Sequence, residues 1–451
     1  MSWIIKDKKF YKDIAIIAIP VALQNIISLS VNMIDTLMIG QLGDVQLAAS
    51  SVANNIFFFF FGLVFGISGG ANILAAQYWG KKDSATIRKV MSLAHKCVFV
   101  IAIFFTLVAS LFPTQILSIF SEDPEVIMYA AKYLKIVCYS YMAIGLGNCT
   151  MFMFRSVGSV NMTLFIYTTS LITNGFLNWV LIFGKLGAPA LGIEGAAYAT
   201  LIARIQEIII IIIYTFFIDK KIQYKLKDFL SFDTTIIKDF FATASVVVCN
   251  EFLWSSGSTM ISIIIGRLST DFVAANSISS LVSQLVSVMI FGVASAAAAL
   301  VGNTIGRGEY DRAKQMAKTL MVLALGVGII ASAMTLIARP IVLSLYSNLS
   351  ETTLHYAYDL IGISSIVVIF QAIAGVNMMG TLRGGGDAKF VLFADIIFMW
   401  ILAIPLGFLA AFYFHFSVPL VYLVIRSDEF LKTIICALRI KSEKWVKDIT
   451  I

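Results

Sequence analysis

The sequence predicts an all-α membrane protein with twelve transmembrane helices in two pseudo-symmetric six-helix lobes around a central cleft. Three observations carry that expectation. Hydrophobic residues make up 59% of the 451 positions and charged residues only 13%, with a mean hydropathy of +0.90; soluble chains carry about 25% charged residues. Apolar runs long enough for spanning helices of roughly 20 residues recur throughout. Hydrocarbon admits only helices or closed barrels, and these runs lack the alternation of barrel strands. Finally, the chain repeats itself. The stretch from Pro20 to Ala49 returns at 247–275 with an offset of 226, so that Ile39, Gly40, Leu42, Ala48 and Ala49 meet Ile265, Gly266, Leu268, Ala274 and Ala275. Gly80 falls on Gly306 at the same offset, and Gly147, Arg155 and Gly158 fall on Gly375, Arg383 and Gly386 at 228.

Taken in order, the expected spans lie near 14–40, 52–79, 92–112, 130–153, 161–184 and 193–218 in the first half. Those of the second half lie near 237–266, 275–303, 319–345, 357–380, 390–414 and 417–437. The last is interrupted by Arg426, Asp428 and Glu429. Residues 219–239 are the one long polar interruption, a linker between an amino-terminal lobe (1–218) and a carboxy-terminal lobe with its tail (240–451). An amphipathic helix is expected there around Leu226 to Phe232.

Loops give the orientation. Lysines 6, 8, 9 and 12 precede the first span; Lys81, Lys82, Arg88 and Lys89 follow the second; Arg307, Arg312, Lys314 and Lys318 follow the eighth. Arg383 and Lys389 come next, then Lys432, Arg439, Lys441, Lys444 and Lys447 at the carboxyl end. The alternate loops are poor in Lys and Arg, so both termini are placed in the cytoplasm and the protein in the cell (inner) membrane. Two six-span halves of like orientation imply an axis along the membrane normal. The first apolar run is too long for a signal-peptide core and reads as a retained span.

Composition also excludes. The net charge of +7 resides in loops and follows the positive-inside pattern, so no nucleic-acid partner is expected. The five cysteines form no CxxC and read as buried small hydrophobes. There is no GxxxxGK[ST] cradle for ATP, and three scattered histidines make no HExxH, so neither a nucleotide cofactor nor a metalloenzyme is expected. Any pumping must draw on an ion gradient.

The chemistry therefore rests on intramembrane acids, which are costly in hydrocarbon and mark ion or substrate pathways. Asp35 sits in the outer part of the first span, Glu251 in the seventh beside Asn250, and Asp395 about one turn into the eleventh. Asn174 and Asn178, four residues apart, share a face of the fifth span, and Thr200 lies in the sixth. One carboxylate with amide and hydroxyl oxygens is a cage for a hard monovalent cation; helix-to-helix hydrogen bonding is the alternative use of those asparagines.

Over roughly residues 10 to 448 the chain resembles the multidrug and toxic compound extrusion (MATE) family. The carrying features are the Pro20-to-Ala49 stretch with Asp35 and IGQLG, and CNEFLWSSGSTMISIIIGRLSTDFVAANSI in the second half. To these are added ALGIEGAAYAT at 190–200, LRGGGDAKF and WILAIPLGFLAAF. The resemblance implies an antiporter, with H⁺ or Na⁺ as coupling ion, exporting bulky, often cationic drugs or toxins. Asp35, Asn174, Asn178 and Thr200 match the cation-coupling positions, with Na⁺ held by those four residues. Glu251 matches the seventh-span glutamate of NorM-like bacterial members, and with Asp395 is expected to serve substrate or proton in the carboxy-terminal lobe. Two departures bear on this: Asn178 stands where some members carry an acid, and Ala374 stands where NorM-like members carry a tenth-span aspartate. Asp387 is assigned to the loop. Lipids and small-molecule substrates are the expected partners, and a monomer is expected because one chain completes the cleft. A lipid-linked-oligosaccharide flippase is the alternative; it calls for a cationic cleft, for which only Arg204 and Arg426 are mid-span candidates.

Overall fold

The computed structural model describes residues 4–231, 233–346 and 350–450, and every regular element among them is helical. The first half runs through Lys8–Gly40, Asp44–Gly80 and Ser84–Leu111, then a fourth span made of Pro124–Val137 and Ser140–Ser156 bent by 54°. Asn161–Phe183 and Ile193–Ile218 complete it. The second half continues with Ile237–Leu268, Thr270–Gly306, Tyr310–Leu345, Glu351–Leu382 and Ala388–Tyr413. Among the described residues nine helices are long and apolar enough to cross a membrane, and the bent pair makes a tenth. The two other expected spans are the polar ones. The seventh helix carries Asn250, Glu251 and several serines, and the twelfth is broken at Arg426 into Val418–Ile425 and Ser427–Lys441.

The chain divides into two compact units that do not follow the sequence midpoint. One comprises Leu23–Ala75 and Asp83–Val248; the other comprises Met1–Ala22, Ala76–Lys82 and Cys249–Ile451. In the first unit, glycines let helices approach. A Cβ on Gly70 would lie 2.5 Å from Ala244 Cα, and one on Gly66 2.7 Å from Val248 Cα, so the second and seventh helices cross backbone to backbone. Small residues at such crossings are how helices gain contact in lipid, where no hydrophobic drive pulls them together. The fifth and sixth helices form a tight hairpin. Gly184 ends the fifth in the left-handed region (φ +65°), and the chain folds back so that Leu191 N–H donates to Leu181 O at 2.9 Å. That fixes the register of Asn174 and Asn178 against Thr200.

The linker is anchored to the third helix. Arg88 Nη1 donates to Ile222 O at 3.1 Å and Lys89 Nζ lies 2.7 Å from Asp233 Oδ2. Its helix spans Leu226–Leu230 and buries no side chain; the expected extension to Phe232 lies outside the described residues. The phenylalanine run serves both environments, Phe58 facing outward and Phe60 fully buried. Cys249 departs from expectation. It is exposed, whereas Cys138, Cys149 and Cys436 are buried.

In the second unit the eighth helix is the axis. Two-thirds (67%) of its most apolar window is buried, against 22–50% for the other spanning helices. Its alanine run Ala294–Ala299 accepts Gly380 and Gly384 of the tenth-helix segment at backbone distance. The repeat-related glycines Gly80 and Gly306 meet at the lysine- and arginine-rich end. A Cβ on Gly306 would sit 1.9 Å from Gln77 O, and one on Gly80 2.2 Å from Asn303 O. Farther along, Gly292 meets Ala18 O in the same way. The basic ends of the first and second helices are thus sealed against the eighth.

The carboxyl-terminal tail covers this seal. Trp445 is fully buried against Gly385, Gln77 Nε2 donates to the carbonyls of Gly384 and Lys447, and Ile449 N–H donates to Gln77 Oε1 at 3.0 Å. Asp387 stands in the turn before Ala388–Asp395, as expected, yet it is buried there, 1% exposed and bound by Arg439 (2.7 Å) and Lys447 (2.6 Å). Lys81 pairs with Asp448 at 3.2 Å. Burial pushes the Asp448 carboxyl up, but hydrogen bonds from Thr450 and the Lys81 ammonium outweigh it and hold it below the usual carboxylate range. Its contribution is therefore complete above the ordinary carboxylate pKa and lost as pH falls through the lowered value.

Two substitutions test this packing. Gly306→Val should lower thermal stability in detergent by about 2 kcal/mol or more, the cost of overpacking at a backbone crossing, whereas Gly326→Ala, with open space around its Cα, should leave melting unchanged. Trp445→Ala should cost about 3–5 kcal/mol as a large buried ring is lost; an unaltered melting temperature would show that the tail is not held as described.

Candidate functional site

The first helix brings Asp35 to the fifth- and sixth-helix hairpin, and the four expected residues assemble. Asn178 Nδ2 donates a short hydrogen bond to Asp35 Oδ1 and reaches Asn174 Oδ1 at 3.2 Å. Asn174 Nδ2 in turn donates to Thr200 Oγ1 at 3.5 Å. Asn174 and Asn178 are buried, while Asp35 is half-buried. Tyr133, also buried, lies against Thr200. Among the described residues no Lys or Arg nitrogen lies within ion-pair reach of Asp35. Arg204, one turn beyond Thr200, is committed elsewhere: its Nη1 donates to both carboxylate oxygens of Glu207, at 2.7 and 2.9 Å. Asp35 is thus bound directly by amide hydrogens, with the Arg204 charge acting on it only from beyond ion-pair distance.

These residues fit a small cation. Asn178 Oδ1 is buried with no hydrogen-bond partner among the described residues, an arrangement that leaves an acceptor costly to bury. Turning the Asn178 amide over would present this oxygen to an ion held by Asp35, with Asn174 and Thr200 supplying the next oxygens. The same rotation would let Asn178 accept from a protonated Asp35. No group of three or more His, Cys, Asp or Glu suited to a transition metal occurs among the described residues.

The carboxy-terminal acids are held differently. Glu251 Oε1 lies 2.8 Å from Arg383 Nη1, with 14% and 10% of the two side chains exposed. Arg383 also donates to Asn250 Oδ1, and Asn250 Nδ2 donates to Asp395 Oδ2 at 2.7 Å. Lys432 Nζ then bridges Asp395 (2.8 Å) and Asp428 (2.9 Å). The sequence reading placed Arg383 and Lys432 among the loop cations; both are buried in this network and say nothing about orientation. Glu251 and Asp395 are therefore joined through Asn250.

A signal for the missing cations was present in the repeat. At the offset of 226, Gln24 and Asn25 fall on Asn250 and Glu251; at 228, Arg155, Tyr167, Thr200 and Arg204 fall on Arg383, Asp395, Asp428 and Lys432. Gln24 lies beside Tyr167, the pair equivalent to Asn250 and Asp395. Each half has a polar cluster at equivalent positions, net acidic in the second and net basic in the first, where Arg155 and Arg204 have no acid among them. The π-helical turns Val376–Leu382 and Ile396–Ala403 adjoin Arg383 and Asp395, and such turns occur preferentially at functional sites.

The MatE family model matches residues 20–180 and 247–409, one block in each half of the repeat. The chain belongs to the MatE family. Relatives of this MatE protein include the probable multidrug resistance protein NorM of Rhizobium meliloti (strain 1021), 30% identical over 407 residues and covering 86% of this chain and 83% of that one. Another is the probable multidrug resistance protein YoeA of Bacillus subtilis (strain 168), 23% identical with 89% and 87% covered. Among solved structures, the outward-facing conformation of a multidrug resistance MATE family transporter of the MOP superfamily superposes with a TM-score of 0.87 at 18% identity, covering 98% and 99%. The eukaryotic MATE transporter AtDTX14 gives 0.84 at 20% identity, covering 98% and 97%. The fold is the MATE transporter fold, and the family is one of multi-pass multidrug efflux transporters.

The two kinds of acid site predict different mutational costs. Arg383→Met leaves Glu251 buried without its cation and should destabilise the detergent-solubilised protein by about 3–5 kcal/mol. Asp35→Asn removes a charge that no fixed cation holds and should be close to neutral, within about 1 kcal/mol, the scale of a typical hydrogen bond. Equal losses in a thermal melt would contradict the assignment.

Proposed function

We propose that this MatE protein is a cation-coupled antiporter that exports bulky, often cationic drugs or toxic compounds by alternating access. The observation that carries the reading is the state of Asp35: of the three intramembrane acids singled out in the sequence, it alone has no built-in cation. A carboxylate in hydrocarbon needs a neutralising partner, and one that the protein does not supply must be taken up from solution. Facing outward, Asp35 takes up H⁺ or Na⁺ and substrate leaves; facing inward, the ion leaves and substrate enters. The ion drives the cycle through its differential affinity for the two states.

In this reading the basic end and both termini lie in the cytoplasm, and the protein works in the cell membrane as a monomer. The two six-helix lobes, joined by the 219–239 linker, are the moving bodies. A lipid-linked-oligosaccharide flippase is disfavoured because Arg204 is neutralised by Glu207 and Arg426 lies over the Tyr422 ring, 5.5 Å from its centroid. Neither is free to form a cationic cleft.

The test is ethidium efflux from proteoliposomes under a Na⁺ gradient and a pH gradient imposed separately. One gradient should drive transport, and Asp35→Asn should lower the driven rate roughly ten-fold or more, a coupling loss of about 1.4 kcal/mol. Driven efflux at the wild-type rate in Asp35→Asn would overturn the proposal.

A further inference from the structure

The buried network of the second half pairs acids with cations of the chain itself, and Arg426 and Glu429 lie beside its Asp428–Lys432 end. Glu251, Arg383, Asn250, Asp395, Lys432 and Asp428 form one continuous chain of ion pairs and hydrogen bonds across the seventh, tenth, eleventh and twelfth helices. Each carboxylate in it touches a cationic nitrogen at 2.8–2.9 Å. The third acid, Asp428, lies in the first turn of the helix Ser427–Lys441, where the helix dipole favours a negative charge. Asp395 and Lys432 expose 9% and 5% of their side chains, so water contributes little to either.

We infer that Arg383 and Lys432 are tethered counter-ions: they occupy, as parts of the chain, the place a transported cation would take beside Glu251 and Asp395. Glu251 and Asp395 then carry no coupling ion, and each transport cycle uses the single ion held at Asp35. The inference rests on the antiporter reading and goes beyond it, because it assigns ion stoichiometry and names the two residues that set it.

Two geometric points favour a tether over a chance ion pair. The first is the repeat. Lys432 and Arg204 are equivalent positions, each a cation on the sixth helix of its half. Arg204 pairs with Glu207 on its own helix and makes no ion pair with Asp35; Lys432, besides pairing with Asp428 on its own helix, reaches across to the eleventh and closes Asp395 there. One duplicated cation thus has two opposite uses. The second is bonding capacity. The Arg383 fork spends one nitrogen on Glu251 and another on Asn250, and Asn250 passes that constraint to Asp395. A mobile ion could bind the carboxylates but could not donate this directed pair of hydrogen bonds.

The experiment uses the full chain with Na⁺ and H⁺ as the probes. Ion-to-substrate stoichiometry, measured from reversal of ethidium flux in proteoliposomes, should be one for the wild type; two or more would overturn the inference. Lys432→Gln frees Asp395 and Asp428, and its melting temperature should acquire a rise with added Na⁺ or on acidification beyond any seen in the parent. No added ion response in folded Lys432→Gln would count against the tether. Should that variant not fold, Glu251→Gln/Arg383→Gln removes both charges of one pair together. Its melting temperature should drop while the dependence of driven efflux on ion concentration stays within about three-fold of the parent. Loss of driving with substrate binding intact would place a coupling ion at Glu251 and overturn the inference. A coupling failure confined to the reading of Asp35 looks different: Asp35→Asn would keep driven efflux, while the stoichiometry and the Lys432→Gln response stood.

Discussion

A carboxylate in hydrocarbon must be neutralised, and the way each acid meets that demand organises this protein. Glu251 and Asp395 are answered from within the chain by Arg383 and Lys432. Among the described residues Asp35 has no ion pair: amide hydrogens bind it directly, and Arg204, which acts on it from a distance, is paired with Glu207. The cost of an uncompensated intramembrane charge is a few kcal/mol at least, which is comparable to the free energy available to bias a two-state equilibrium. A site left that far from neutrality is sensitive to a passing ion. Sites closed by their own cations serve as fixed points around which helices pack.

Packing follows from the same solvent. Lipid offers no hydrophobic drive between helices, so contact must come from close approach and from polar bonds. Both appear where the repeat would place them. Gly80 and Gly306, equivalent by sequence, abut each other's helices at backbone distance. Gln77 beside them holds the tail segment that seats Trp445. These contacts are strong because they involve backbone, and they are confined to one end of the bundle.

The sequence shows the helical class, the duplication and the shared face of Asn174 and Asn178, because hydropathy, offset and i, i+4 spacing are local properties; that Asp35 and Thr200 join those asparagines is implied by the family resemblance. It misplaces Arg383 and Lys432 and does not show the burial of Asp387, and the reason is physical. A basic or acidic residue at the end of an apolar run looks the same whether it enters a loop or turns back into the bundle. Which it does depends on a partner more than a hundred residues away for Arg383, and on the tail for Asp387. The repeat held the missing information, since Arg155 and Arg204 mark the equivalent positions in the first half. Cys249 is exposed although three valines precede it, since hydrophobicity lets a residue meet lipid without saying which face of the helix it takes.

Infrared difference spectroscopy on the protein in bilayers reports carboxylates directly as their counter-ion changes. Exchanging Na⁺ for K⁺, or stepping pH, should alter one carboxylate band, and that change should vanish in Asp35→Asn while persisting in Asp395→Asn. A band that survives in Asp35→Asn and disappears when Glu251 or Asp395 is neutralised would show that the second half exchanges ions, contradicting the division between open and self-neutralised acids.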